Sequence, residues 1–152
     1  MANQDDPWQH VEQPYETELD VDKALDHALH AANAHHDDSE QNQKKVLLSL
    51  GAEWCPDCTA LAGMLRTPSV AKVLEQSFEV VPVHIGRYDK NMHILGRLGL
   101  PPTLEGVPAL VIASAPQGEV LNREAIYEWR SARTMAPRDL AAYLVRFARS
   151  SR

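Results

Sequence analysis

The sequence predicts an α/β layer architecture, and three observations carry that prediction. The runs 46–50 and 107–113 are short, continuous and apolar, as strands covered on both faces are. Segments with helical apolar spacing alternate with them, and prolines stand where a first helical turn would begin at Pro56, Pro68 and Pro137. At 152 residues the chain has the size of one domain, so one hydrophobic core is expected and an interdomain cleft is not.

Residues 1–19 lack hydrophobic periodicity and read as an acidic, loosely ordered leader, with Tyr15 and Leu19 as the residues able to dock on the core. The domain is then expected to span 20–152. Val21, Ala24, Leu25, Ala28 and Ala32 form one face of an N-terminal helix over 20–36, with Asp20 as its cap. A polar connection over 37–45 leads to the central strand at 46–50. A helix over 56–65 follows, then a second from Pro68 through Gln76 behind the cap-like Thr67.

Phe78 to Ile85 reads as a strand rich in β-branched residues, and Pro82, which cannot donate to a ladder, places it at a sheet edge. Asp89 is expected to cap a helix ending at Gly99. Val107 to Ala113 is a buried strand, and residues 115–118 have the pattern of a type I turn leading a hairpin into Glu119 to Asn122. A helix around 124–133 and a clearer one from Pro137 to about Arg149 close the chain, the latter with Leu140, Tyr143, Leu144 and Phe147 inward. The expectation is a mixed sheet of about four strands flanked by helices.

Charge narrows the function classes. The chain carries 15 basic and 21 acidic residues, a net charge of −6, which argues against affinity for a phosphate backbone and so against nucleic acid. Residues 1–43 hold eleven Asp and Glu against the single Lys23, so the acidity belongs to the leader, and the arginines from 123 onward read as a solvated face. No stretch is apolar enough for membrane insertion. The first residues have neither a basic nor an apolar signal region, so the expected compartment is cytoplasmic as the chain stands, or periplasmic had a signal peptide been removed before Met1.

The chemistry concentrates at Trp54-Cys55-Pro56-Asp57-Cys58. Two cysteines at i and i+3, the first opening a helix after a buried strand, suit a small redox disulfide with one sulfur accessible and one shielded. Helix N–H groups stabilise a thiolate at Cys55, the attacking nucleophile, and Cys58 resolves the mixed disulfide. Such a cycle needs no cofactor. Asp57 between them opposes thiolate formation and so favours a reductant over an oxidant. Half of a zinc site is the alternative, but it would need two ligands from the seven histidines, and His27, His30, His35 and His36 spread round a helix and into a loop. No metal is expected. Trp54, immediately before the nucleophile, is expected to shield the sulfur and form part of a substrate platform.

VLLSLGAEWCPDC, with EGVPALVI about fifty residues on, resembles the thioredoxin superfamily over roughly 44–149. GRYDKN at 86–91 and the AR-x-M ending at 132–135 resemble bacterial members labelled disulfide isomerases, which also carry a preceding helix. The resemblance implies a thioredoxin-like fold, a cis Pro108 lying against the CxxC, and Val107 offering its backbone to extended substrate. It implies a thiol-disulfide oxidoreductase that reduces protein or small-molecule disulfides, re-reduced by an external donor such as a reductase, and acting as a monomer. The alternatives are an isomerase or oxidant in an oxidising compartment, or a binding or chaperone module with an inactive CxxC.

One departure from that family concerns proton transfer. Its buried Asp, the proton acceptor for the resolving cysteine, is replaced here by Ser49, leaving water, the Cys55 sulfur, Asp57 and Glu53 as candidate routes. The other is the helix at 20–36, which stands where the family has an opening strand. Arg87 and Asp89 are open as flanks of the site, and His84 and His93 are assigned no role.

Overall fold

A computed structural model describes residue 15 and residues 17–34 and 43–149. Most of the acidic leader, with His35 and His36, lies outside the described residues. Helix α1 spans Val21–Ala34 and buries Val21, Leu25, Ala28 and Ala32. Asp20 caps it, Oδ1 accepting from the Lys23 N–H at 3.1 Å. Strand β1 (Lys45–Gly51) is buried at all seven positions, as expected of a central strand covered on both faces.

Helices α2 (Pro56–Leu65) and α3 (Pro68–Ser77) each begin on a proline. Thr67 does not cap α3 with its side chain; its hydroxyl instead donates back to Met64 O at 2.6 Å. Strand β2 (Phe78–His84) runs parallel to β1, and β3 (Ala109–Ala113) antiparallel, in the order β2-β1-β3. Pro82 therefore sits in an edge strand, where its missing N–H costs least. Helix α5 (Pro137–Ala148) buries Leu140, Tyr143, Leu144 and Phe147.

Several expectations are corrected. The sheet has three strands among the described residues rather than about four, because 119–122 meets β3 only at the single bridge Ala113–Val120. The place of a fourth strand is taken by the side chain of Asn122, whose Oδ1 accepts from Ile112 N and whose Nδ2 donates to Leu110 O, both at 2.8 Å. An amide side chain carries the same donor and acceptor as a peptide unit, so it closes the ladder without a strand.

The turn before it is not type I. The Ala115–Pro116 peptide is cis, and the loop closes through Gly118 N to Ser114 O and Ser114 N to Glu119 O, each 2.8 Å. The helix expected at 124–133 is two 3-10 turns, Arg123–Ala125 and Ala132–Thr134, with turns between them. Its early carbonyls are engaged elsewhere: Ala125 O accepts the Tyr143 hydroxyl at 2.7 Å, and Ile126 O accepts Leu110 N at 3.1 Å. The helix expected from Asp89 shrinks to α4 (His93–Arg97), uncapped by a side chain, since Asp89 folds back onto the Arg87 N–H at 2.9 Å. Tyr88 and Asn91 adopt positive φ in the intervening turns.

The sheet separates two apolar layers. Val46, Leu48 and Leu50 of β1 pack with α1 and α4, while Leu47, Leu110 and Ile112 pack with α2, α3 and α5 around Trp129 and Tyr143. Those two rings meet edge to face at 5.7 Å. Lys45 is buried where β1 begins, and its ammonium donates to Ala148 O at 2.9 Å, a cation at the negative end of α5.

Candidate active site

Strand β1 ends and α2 begins within five residues, which delivers Cys55 to the helix N-terminus. Cys55 occupies the N-cap in an extended conformation, and its Sγ accepts the Cys58 N–H at 3.1 Å. An N–H of the first helical turn that would otherwise lack a partner thus points at the sulfur, where it favours negative charge. One turn further in, Cys58 is wholly buried, whereas Cys55 retains 5% exposure. The two thiols are unbridged here.

Val107 and Pro108 lie across from the pair. The Val107–Pro108 peptide is cis, and β3 starts only at Ala109, two residues later than the apolar run suggests. The Cys55 thiol donates to Val107 O at 3.7 Å, and Val107 is half-buried against the cysteines. Pro56 fills the first helical position between them.

Around Cys55 runs an exposed aromatic and charged rim. Trp54 is 41% exposed, and its indole N–H donates to Gly86 O at 2.7 Å, which fixes the ring plane. Tyr88, 42% exposed, lies 6.0 Å from it, and the Arg87 guanidinium sits 5.7 Å from the Trp54 ring. Arg87 thus flanks the site, whereas Asp89 only closes the turn behind it. Desolvation, followed by the two cysteine sulfurs, pushes the Tyr88 hydroxyl above its ordinary value.

Asp57 is not a bare carboxylate beside Cys55. Its Oδ1 accepts from both the Arg133 backbone N–H at 2.9 Å and Nε at 3.2 Å, so a cation from the 132–134 turn offsets its charge. This weakens the argument that Asp57 alone disfavours the Cys55 thiolate.

Beneath Cys58 the described residues are neutral. The Tyr15 hydroxyl is buried 3.5 Å from Ser49 Oγ. A Cβ at Gly51 would come within 2.5 Å of Tyr15 Oη and 2.8 Å of Cys58 Sγ, so only glycine admits both groups at this point of β1. Burial first, then the hydrogen bond with Cys55, pushes the Cys58 thiol up, while a hydrogen bond with the Ala52 backbone and then one with the Tyr15 hydroxyl act in the opposite sense. Tyr15 is the residue whose part in the site went unread in the sequence; it stands 34 positions before Ser49, and only its aromatic character in a polar segment marked it.

The described histidines do not gather with the cysteines as metal ligands would. His27 and His30 are exposed on α1, and His93 pairs with Asp22 at 2.6 Å. Among the described residues no three His, Cys, Asp or Glu side chains gather as metal ligands would, and no helix is long and apolar enough to cross a membrane.

A family model described as thioredoxin-like matches residues 24–115. Among solved structures, a disulphide isomerase from Xylella fastidiosa Temecula1 aligns with a TM-score of 0.77 and 29% sequence identity, over 90% of this chain and 97% of that one. A search of curated proteins returns no match.

Proposed function

We propose, from the premise that this chain belongs to the thioredoxin-like family, that it is a thiol-disulfide oxidoreductase working as a disulfide reductase. The observation that carries the reading is the Cys55 sulfur held at the N-terminus of α2 between the Cys58 N–H and the cis Val107–Pro108 backbone. The Cys55 thiolate attacks a substrate disulfide, breaking its S–S bond and releasing one thiol. Cys58 then attacks the Cys55 sulfur, releases the second thiol and leaves the Cys55–Cys58 disulfide, with two electrons delivered to substrate. The two sulfurs are the whole redox centre in this reading, and an external dithiol donor such as a reductase restores them.

Trp54, Val107 and Pro108 provide the face on which an extended disulfide-bearing segment lies. The direction follows from charge. Strong oxidants owe their potential to a stabilised reduced state, and here the Arg133 cation is held by Asp57 rather than directed at Cys55. A reductase of this kind works in the cytoplasm, where thiols are kept reduced.

Disulfide isomerisation is the second reading, favoured by the burial that pushes the Cys58 thiol up. A sluggish resolving thiol lets a mixed disulfide persist long enough to reshuffle, and the similar bacterial protein bears the name of an isomerase. Equilibration in glutathione buffers separates the two. A potential near about −270 mV supports the reductase, whereas one between about −180 and −120 mV supports an isomerase or oxidant in the periplasm. A wild-type protein unable to reduce insulin disulfides while still binding peptide would overturn both and leave a binding module.

A further inference from the structure

A resolving thiol must give up its proton as it attacks, and the described residues around Cys58 offer no carboxylate to take it. Among the described residues the ionisable groups that act on Cys58 are Cys55 and Tyr15; Asp57, on the same helix, is turned to Arg133. Ser49, Gly51 and Ala52 of the β1 end are uncharged. Among the described residues, the polar side chain brought to Cys58 from a distant part of the chain is the Tyr15 hydroxyl, 1% exposed, from the segment ahead of α1.

Burying a hydroxyl is unfavourable unless it is well hydrogen-bonded. In the dithiol state Tyr15 makes a long 3.5 Å contact with Ser49 Oγ, in which either atom can be the donor, and a hydrogen bond with the neutral Cys58 thiol. It shares the small space over Gly51 with Cys58 Sγ. A weakly satisfied buried donor facing a sulfur gains its strong partner when that sulfur becomes an anion.

We propose that Tyr15 is the side-chain donor that joins the Ala52 backbone in stabilising the Cys58 thiolate during resolution, with Ser49 orienting its hydroxyl. The proposal rests on the oxidoreductase reading and names the device by which that chemistry proceeds with no buried acid among the described residues. In the step itself the Cys58 S–H proton passes to the departing substrate thiolate. The bond between Cys55 and the substrate sulfur breaks, the Cys55–Cys58 bond forms, and the substrate leaves as a thiol. Ser49 donates to Tyr15 while Tyr15 donates to Cys58, so no proton is gained or lost by either hydroxyl. Desolvation and the nearby sulfurs push the Tyr15 hydroxyl up, which keeps it protonated and suits it as a donor rather than a base.

The test follows both steps separately. Reduced protein is mixed with oxidised glutathione, quenched with acid, and the Cys55–glutathione adduct and the Cys55–Cys58 disulfide are quantified by mass spectrometry over time. Tyr15→Phe keeps the buried ring, so adduct formation proceeds at the wild-type rate while resolution slows roughly tenfold and the adduct accumulates. A ring-fluorinated tyrosine at position 15, a stronger donor of nearly the same shape, restores resolution to the wild-type rate or above it. Ser49→Ala gives a smaller slowing of the same step, and it carries the test should Tyr15→Phe fail to fold. Resolution within twofold of wild type in the variant that folds overturns the proposal, as does equal slowing of both steps, which marks a packing role. A wild-type protein that forms no adduct at Cys55 overturns the oxidoreductase reading and the proposal together.

Discussion

The rim around Cys55 and the floor beneath Cys58 are built from opposite materials. The rim is exposed and charged, with Trp54 and Tyr88 beside the Arg87 guanidinium and Asp57 bound to Arg133. The floor, as far as the described residues form it, is buried and neutral, made of Tyr15, Ser49 and Gly51. Ionic strength and substrate charge therefore act on the first sulfur, whereas the second answers to burial and to a pair of hydroxyls. In the proposed cycle, attack and resolution fall in separate electrostatic environments only one helical turn apart.

The sharpest way to break this contrast is to remove each sulfur in turn. Cys55→Ser should abolish insulin-disulfide reduction, while Cys58→Ser should still form the glutathione adduct and fail to resolve it; equal behaviour of the two variants would erase the division. The next effect is steric. Gly51→Ala forces a methyl into the space of the Tyr15 hydroxyl and Cys58 sulfur, and overpacking of this kind costs about 2 kcal/mol, read as a lowered urea midpoint with an unchanged slope.

Alkaline pH gives the third. Cys58 is pushed above its ordinary value of 9.0 and Tyr15 above 10.0 in the folded state, so the folded protein holds protons that the unfolded chain releases. The stability these groups contribute is present in full below pH 9 and declines as pH rises beyond it. Reduced protein should lose about 1 kcal/mol between pH 9 and pH 10 from Cys58, measured by urea unfolding in each buffer. The oxidised form, which has no Cys58 proton, should lose less.

The smallest effect belongs to the rim. Arg133→Ala leaves the Asp57 carboxylate uncompensated, disfavours the Cys55 thiolate and should lower the reduction potential by about 5 to 20 mV, with the shift shrinking as salt is added. A rise in potential would place the Arg133 charge on Cys55 rather than on Asp57.

The rim was more legible in the sequence than the floor, and locality is the reason. Trp54, Pro56, Asp57 and both cysteines lie within five residues, and Pro56 marks the start of α2 in the sequence itself. The periodicities of α1 and α5 and the apolar run of β1 were equally plain, because each is decided by neighbours in the chain. The Asp57–Arg133 pair and the Tyr15–Ser49 contact join residues 76 and 34 positions apart, and no local pattern encodes either. The same holds for 124–133, a good helical pattern until Tyr143 and Leu110 take up its carbonyls. Propensity yields there to tertiary hydrogen bonds.

The Asn122 amide on β3 reaches beyond the count of strands. Leu110 N bonds Ile126 O, Leu110 O accepts Asn122 Nδ2, Ile112 N donates to Asn122 Oδ1, and Ile112 O accepts Leu121 N. Every backbone group on the outer side of that stretch is thereby occupied by irregular chain and a side chain, neither of which another molecule can extend. The opposite border carries Pro82, with no N–H to offer. A three-stranded sheet this apolar would otherwise be a template for stacking copies of itself into fibrils, and these two residues deny it the sticky border on which such growth begins.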